Sequence, residues 1–188
     1  MLEKIAEKLV NRQKDIGIIQ DSDINIYKYG YVLAMETALN IIIGIAIGFV
    51  FHAIATVLLF WLLYIPLRTY GGGWHASKSW ACSLISNVVL IAVILASDFV
   101  FRNYIWCYIA AELACIVVIV LFAPVDTKEK RLTENEKKSY KKIVVLIICA
   151  EEISGIWFPL IRNIIFCAYM ILAMSLVVQL LFSQRKRA

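Results

Sequence analysis

Long apolar runs separated by short polar stretches set the plan of this 188-residue chain. The first run, about Tyr27–Phe51, is long enough to form a transmembrane helix, and Asp23 or Ser22 stands ready to cap its start. A second run, Ala53–Leu67, is short and ends at Pro66 and Arg68. Tyr70-Gly71-Gly72-Gly73-Trp74 then breaks the pattern. A third helix is expected from about His75 to Val100, polar in its first two turns and spanning from Leu84. The fourth run, Tyr104–Ala123, closes at Pro124. Residues 125–142 form the one long polar connection, and two further runs, Ile143–Pro159 and Ile161–Phe182, precede a basic tail. The pattern predicts an all-α integral membrane protein with six transmembrane helices, folded as a single membrane-embedded domain over residues 1–188.

The first 22 residues read differently. Leu2, Ile5, Ala6, Leu9, Gln13 and Ile16 fall near one helical stripe, while Glu3, Lys4, Glu7, Lys8, Asn11 and Lys14 occupy much of the rest. Such a helix is too polar to span and is expected to lie on the membrane surface, with a helical partner as the competing use. It lacks the apolar core and small-residue cleavage site of a secretory signal, so the N-terminus is expected to be kept.

Composition agrees: 62% of residues are apolar, 18% are charged, and the mean hydropathy is +0.78. The net charge of +5 invites a nucleic-acid reading, but the basic residues sit at the ends of apolar runs and not on a soluble face. With six spans, 17 of the 19 lysines and arginines fall on the side of the termini, leaving Arg102 and Arg162 opposite. This bias orients both termini toward the cytoplasm and makes residues 125–142 a basic cytoplasmic loop. Lys128, Lys130 and Arg131 in that loop are either solvated charge or a grip for an acidic peptide tail. Neither a metal nor another cofactor is expected: there is no His-Glu-x-x-His, and the two histidines are far apart in sequence.

The same topology puts residues 68–82 at the cytoplasmic face. Three successive glycines are costly in a helix and serve where the backbone takes unusual torsions or approaches another group closely. A glycine-rich cytoplasmic-side loop is therefore expected here. His75 and Cys82 are seven residues apart, which on a straight helix means one face but a separation of roughly 10 Å. Direct contact requires the glycine loop to fold His75 back toward the early turns holding Cys82, where a helix N-terminus and a histidine favour thiolate. Such a pair performs nucleophilic acyl chemistry. Spacing alone equally fits a hydrogen-bonded interfacial histidine and a packing cysteine. The other four cysteines, Cys107, Cys115, Cys149 and Cys167, lie in apolar runs and read as buried thiols.

Arg68-x4-Gly73-x-His75-x6-Cys82-x3-Ser86, between a short and a long apolar segment, closely resembles the AgrB family of membrane cysteine endopeptidases in bacterial peptide quorum sensing. Ala123-Pro124-Val125-Asp126-Thr127-Lys128 is similar to that family's turn into its basic loop, and the likeness covers nearly the whole chain. The resemblance implies that Cys82 is the nucleophile and His75 the general base. It implies that Arg68, Gly72, Gly73 and Ser86 shape the site or position substrate. It further implies removal of the C-terminal tail of an AgrD-like propeptide, cyclisation to a thiolactone or lactone, and a homodimer in the bilayer.

Glu36, Glu112, Glu151 and Glu152 fall inside predicted spans, where ionisable groups need partners. They and the glycine break also suit a small transporter or substrate-binding subunit, although the second half holds no inverted repeat of the glycine segment. A non-enzymatic scaffold or sensor is the third reading.

Overall fold

A computed structural model describes residues 2–20, 23–74, 79–97, 105–125 and 132–185. These residues form seven α-helices: α1 Leu2–Asp15, α2 Ile24–Val50, α3 Ile54–Gly71, α4 Ser79–Ser97, α5 Ile105–Phe122, α6 Glu134–Trp157 and α7 Pro159–Arg185. Four segments are long and apolar enough to cross a membrane: Ile24–Val50, Ile54–Gly71, Trp80–Ser97 and Ile161–Phe182. The apolar stretch of α5, Trp106–Phe122, is shorter. That of α6 contains Glu151 and Glu152.

The N-terminal helix buries Ala6 and Val10, leaves Ile5 and Leu9 exposed, and packs on α2. Gln13 donates to the Tyr31 hydroxyl at 2.6 Å, and Lys28 pairs with Glu7 at 3.3 Å. Its C-terminus is closed at Gly17, which has φ +77°: the Gly17 N–H reaches Lys14 O and the Ile18 N–H reaches Gln13 O. Two otherwise orphaned carbonyls are thereby satisfied.

Helix α7 forms the axis of the bundle. Its Ile165, Tyr169, Leu172, Ala173 and Leu176 pack with Leu67 of α3, Cys115 and Ile119 of α5, and Val144 and Ile148 of α6. Ile164 and Ala168 pack with Val57 and Phe60 of α3 and Leu90, Val93 and Ile94 of α4. One helix thus joins both halves of the core, and α3 lies against it along its length. Asn163 also donates to Ser97 O at 3.0 Å, tying the start of α7 to the end of α4.

Three boundaries differ from the sequence expectation. Helix α3 continues past Pro66 and Leu67 to Gly71. Proline removes one backbone donor, but in an apolar span the helix remains the best way to satisfy the other backbone groups. Asp23 occupies the N-cap position of α2, yet its side chain makes no capping bond; Ser22 lies outside the described residues. The polar connection is also shorter than 125–142, because α6 already begins at Glu134. Thr133 accepts from the Glu136 N–H at 3.4 Å, and Glu136 accepts from the Thr133 N–H at 2.8 Å, a reciprocal capping box.

Candidate functional site

The last turn of α3 carries Arg68, half-buried, and the helix breaks two residues after Tyr70 because Gly72 and Gly73 adopt φ of +75° and +127°. Both values lie where a Cβ is strained, and both glycines are also crowded. A Cβ on Gly72 would meet Val125 O at 2.7 Å; one on Gly73 would overlap the Arg68 guanidinium and sit 2.7 Å from Ser175 Oγ. The expectation that the glycines serve special torsions and close approach holds at these two positions, while Gly71 is the last helical residue.

The irregular strand Gly72–Trp74 is pinned from three sides. Arg68 Nη1 donates to Gly72 O at 2.5 Å and to Ser175 Oγ at 2.8 Å, and Nη2 donates to Trp74 O. The Trp74 N–H is shared between Ser175 Oγ at 3.0 Å and Ser175 O at 3.3 Å. The Val125 N–H reaches Gly71 O at 3.3 Å, bringing the turn after α5 against the same strand. Aromatic contacts flank it: Trp74 stacks on Phe182 and Tyr70 meets Tyr140 edge-on. A charged guanidinium thus spends its donors on backbone carbonyls that a broken helix leaves open, as buried polar groups require.

Cys82 is the fourth residue of α4, in its first turn, and half-buried. It lies within electrostatic range of Arg68 and Tyr64, so the thiol and the pinned strand belong to one locality. The next residue, Ser83, bonds through its hydroxyl to Asn40 of α2, and Asn87 donates to Ser83 O at 2.8 Å. The Ser83–Asn40 bond ties the Cys82 turn to α2, while the Asn87 bond stays within α4. Ser86, one turn beyond Cys82, is exposed. His75, Lys128, Lys130 and Arg131 lie outside the described residues, and with them the expected contact between His75 and Cys82.

Sequence reasoning missed Ser175, Asn40 and Val125 in this neighbourhood. The available signal was slight: Ser175 is a lone hydroxyl between apolar residues of α7, and Asn40 stands alone in the apolar half of α2.

The glutamates of the predicted spans are elsewhere. Glu112 pairs with Arg162 at 2.7 Å, and its carboxylate is 4% exposed. Arg162 also lies over the Tyr108 ring and accepts the Tyr108 hydroxyl on its backbone carbonyl at 3.2 Å. Glu152 is in electrostatic range of Glu112, and Glu151 is buried toward Tyr169. Arg162 and Ser175 are thirteen residues apart on α7, roughly 20 Å along the axis. The Glu112–Arg162 pair is therefore a separate feature and supports nothing at Cys82. Glu36 is half-buried on α2.

The family model for Accessory gene regulator B, AgrB, matches residues 2–182. The chain belongs to the AgrB family. The match runs from α1 almost to the end of α7, so it includes every element that builds the Arg68–Gly72–Trp74–Ser175 arrangement and the turn holding Cys82. Among similar proteins, AgrB-like protein 2 of Clostridium perfringens (strain 13 / Type A) is 28% identical over 76% of this chain and 70% of its own length. Accessory gene regulator protein B of Staphylococcus lugdunensis is 28% identical over 79% of this chain and 77% of its own. Protein FsrB of Enterococcus faecalis (strain ATCC 47077 / OG1RF) is 25% identical over 65% and 53%. No solved structure matches the chain.

Proposed function

We propose that this AgrB-family chain is a membrane cysteine endopeptidase acting on an AgrD-like propeptide in peptide quorum sensing. The observation that carries the reading is local. Cys82 stands in the first turn of α4, in electrostatic range of Arg68, and Arg68 fixes the glycine strand that leads directly into His75. His75 takes the thiol proton as the Cys82 sulfur attacks the scissile carbonyl, and then gives that proton to the departing amine. The C-terminal tail of the propeptide leaves, and the remaining peptide is held as a thioester on Cys82. A cysteine or serine of that peptide attacks the thioester carbonyl, closing a thiolactone or lactone ring and releasing Cys82 as the thiol. Ring closure in place of hydrolysis requires water to be kept from the thioester, which a site at the edge of the bilayer favours. Lys128, Lys130 and Arg131 supply positive charge for an acidic tail, and Ser86 borders the nucleophile's turn.

The same reading takes α2–α7 as six membrane crossings in one domain, with α1 on the cytoplasmic surface, both termini cytoplasmic, and two copies forming a homodimer in the bacterial cell membrane. Its test is co-production with a propeptide in membranes, following cleavage by mass. Cys82→Ser and His75→Ala should abolish processing, and Cys149→Ser, at a thiol on α6 that is exposed and not buried as its apolar run suggests, should leave it intact. Normal processing by Cys82→Ser removes the enzyme reading.

A further inference from the structure

Ser175 contributes a hydroxyl to the glycine strand from the central helix α7, and neither the family motif nor the proposed chemistry assigns it a role. Arg68 reaches Gly72 O and Trp74 O from only four and six residues away, so those bonds fix the curvature of the strand. They do not by themselves fix where the strand lies in the molecule. Ser175 supplies the side-chain tie to α7, beside the Val125 N–H on Gly71 O and the stack of Trp74 on Phe182, because its Oγ accepts from both the Arg68 guanidinium, at 2.8 Å, and the Trp74 N–H, at 3.0 Å. Its backbone carbonyl takes the same Trp74 N–H at 3.3 Å. The neighbours Leu172, Ala173 and Leu176 are in the core, so the hydroxyl is presented from a rigid part of α7.

We propose that Ser175 is a positioning residue for the peptidase: it locks Trp74, and with it the backbone entering His75, at a fixed place relative to Cys82. This rests on the Cys82–His75 reading above. Loss of the Oγ leaves Arg68 its two strand carbonyls and leaves Trp74 the longer bond to the Ser175 carbonyl, so the bundle persists while the strand is held less tightly to α7. A displacement on the order of 1 Å in a catalytic group is enough to lower turnover up to about 100-fold without changing the groups that bind substrate. The defect therefore belongs in kcat and not in KM.

The experiment compares wild type, Ser175→Ala, Ser175→Thr, His75→Ala and the Ser175→Ala/His75→Ala pair in proteoliposomes. Two readouts are taken: single-turnover cleavage of a synthetic propeptide, and the rate at which iodoacetamide modifies Cys82 at neutral pH, followed by mass spectrometry. Ser175→Ala is expected to lose roughly 10- to 100-fold in kcat with KM within about threefold. Ser175→Thr, which restores the hydroxyl, should return most of it. Ser175→Ala and His75→Ala should each slow Cys82 modification, and the double variant should be no slower than His75→Ala, because both changes remove one contribution. Ser154→Ala, a hydroxyl deletion on α6 where the Ser154 hydroxyl donates within its own helix turn to Glu151 O at 2.7 Å, is the control and should match wild type. Ser175→Cys, of similar volume but with a weak sulfur acceptor, repeats the test if the alanine variant fails to accumulate. The proposal is overturned if His75→Ala slows Cys82 modification while Ser175→Ala leaves it and kcat at wild-type values, or if the two changes combine additively. A His75→Ala variant that modifies and cleaves normally overturns the dyad reading instead.

Discussion

At the residue scale, the site depends on two glycines more than on any side chain except the thiol. Gly73→Ala combines a φ of +127° with an overlap on Arg68, and a strained position of this kind costs about 1–3 kcal/mol before the clash is counted. Arg68 would have to release Gly72 O or Ser175 Oγ. Propeptide cleavage in membranes is expected to fall below detection for Gly73→Ala, whereas Gly30→Ala on α2, with open space around the added Cβ, should cleave like wild type. The Glu112–Arg162 pair makes a different prediction. The Glu112 carboxylate is almost fully buried, so Glu112→Ala strands a half-buried guanidinium among α5 and α7. Removing one partner of a buried pair costs on the order of 3–5 kcal/mol, and the partial exposure of Arg162 puts this case at or below the lower end. Thermal unfolding in detergent should show a lower midpoint for Glu112→Ala, with Glu112→Gln losing less because the amide oxygen still accepts from Arg162. Equal midpoints for all three proteins would mean that the pair contributes nothing.

At the element scale, the helices follow from apolar periodicity and their ends from local chemistry. The capping box of α6, Thr133-x-x-Glu136, stands inside a run of lysines and glutamates that reads as loop, so the sequence pattern placed no helix start there. Replacing Thr133 by Ala removes the acceptor for the Glu136 N–H, at a cost of about 1 kcal/mol to that helix end. Hydrogen exchange should speed up over the first turn of α6 and remain unchanged near Ile148; a uniform change along α6 would contradict the cap assignment. The end of α3 was misplaced for a related reason: Pro66 signals termination in water, whereas an apolar span leaves the backbone no better option than helix. The glycine break and its special torsions were visible because successive glycines are costly in a helix, whereas Arg68 entered only through the family resemblance. Ser175 was not visible, since nothing in an apolar run tells which of its hydroxyls meets an arginine 107 positions away. The tie between Ser83 and Asn40 was hidden in the same way, being a pairing of two lone polar residues on α4 and α2.

At the scale of the whole molecule, the number of crossings turns on α6. Its apolar part, Ile143–Trp157, is 15 residues and about 22 Å long, short of a hydrocarbon core of about 30 Å, and contains Glu151 and Glu152. The complete helix, however, has 24 residues and a length of about 36 Å. Lys137, Lys138, Lys141 and Lys142 on its first turns can extend their ammonium groups toward the headgroups while their stems stay in apolar surroundings. Glu151 is buried toward Tyr169, and one oxygen on each of Glu151 and Glu152 has no hydrogen-bond partner among the described residues, a cost that neutral carboxyls keep small. A membrane-crossing α6 is thus physically sound. With α2–α7 all crossing, the tail after α7 returns to the side of α1 and the basic bias is preserved. A green fluorescent protein joined to the C-terminus should fluoresce, and alkaline phosphatase joined there should be inactive. Alkaline phosphatase inserted at His52, between α2 and α3, should be active. If α6 lies on the surface, the parity changes: the C-terminal phosphatase becomes active, the fluorescent fusion goes dark, and the basic residues of the α5–α6 connection end up opposite the tail.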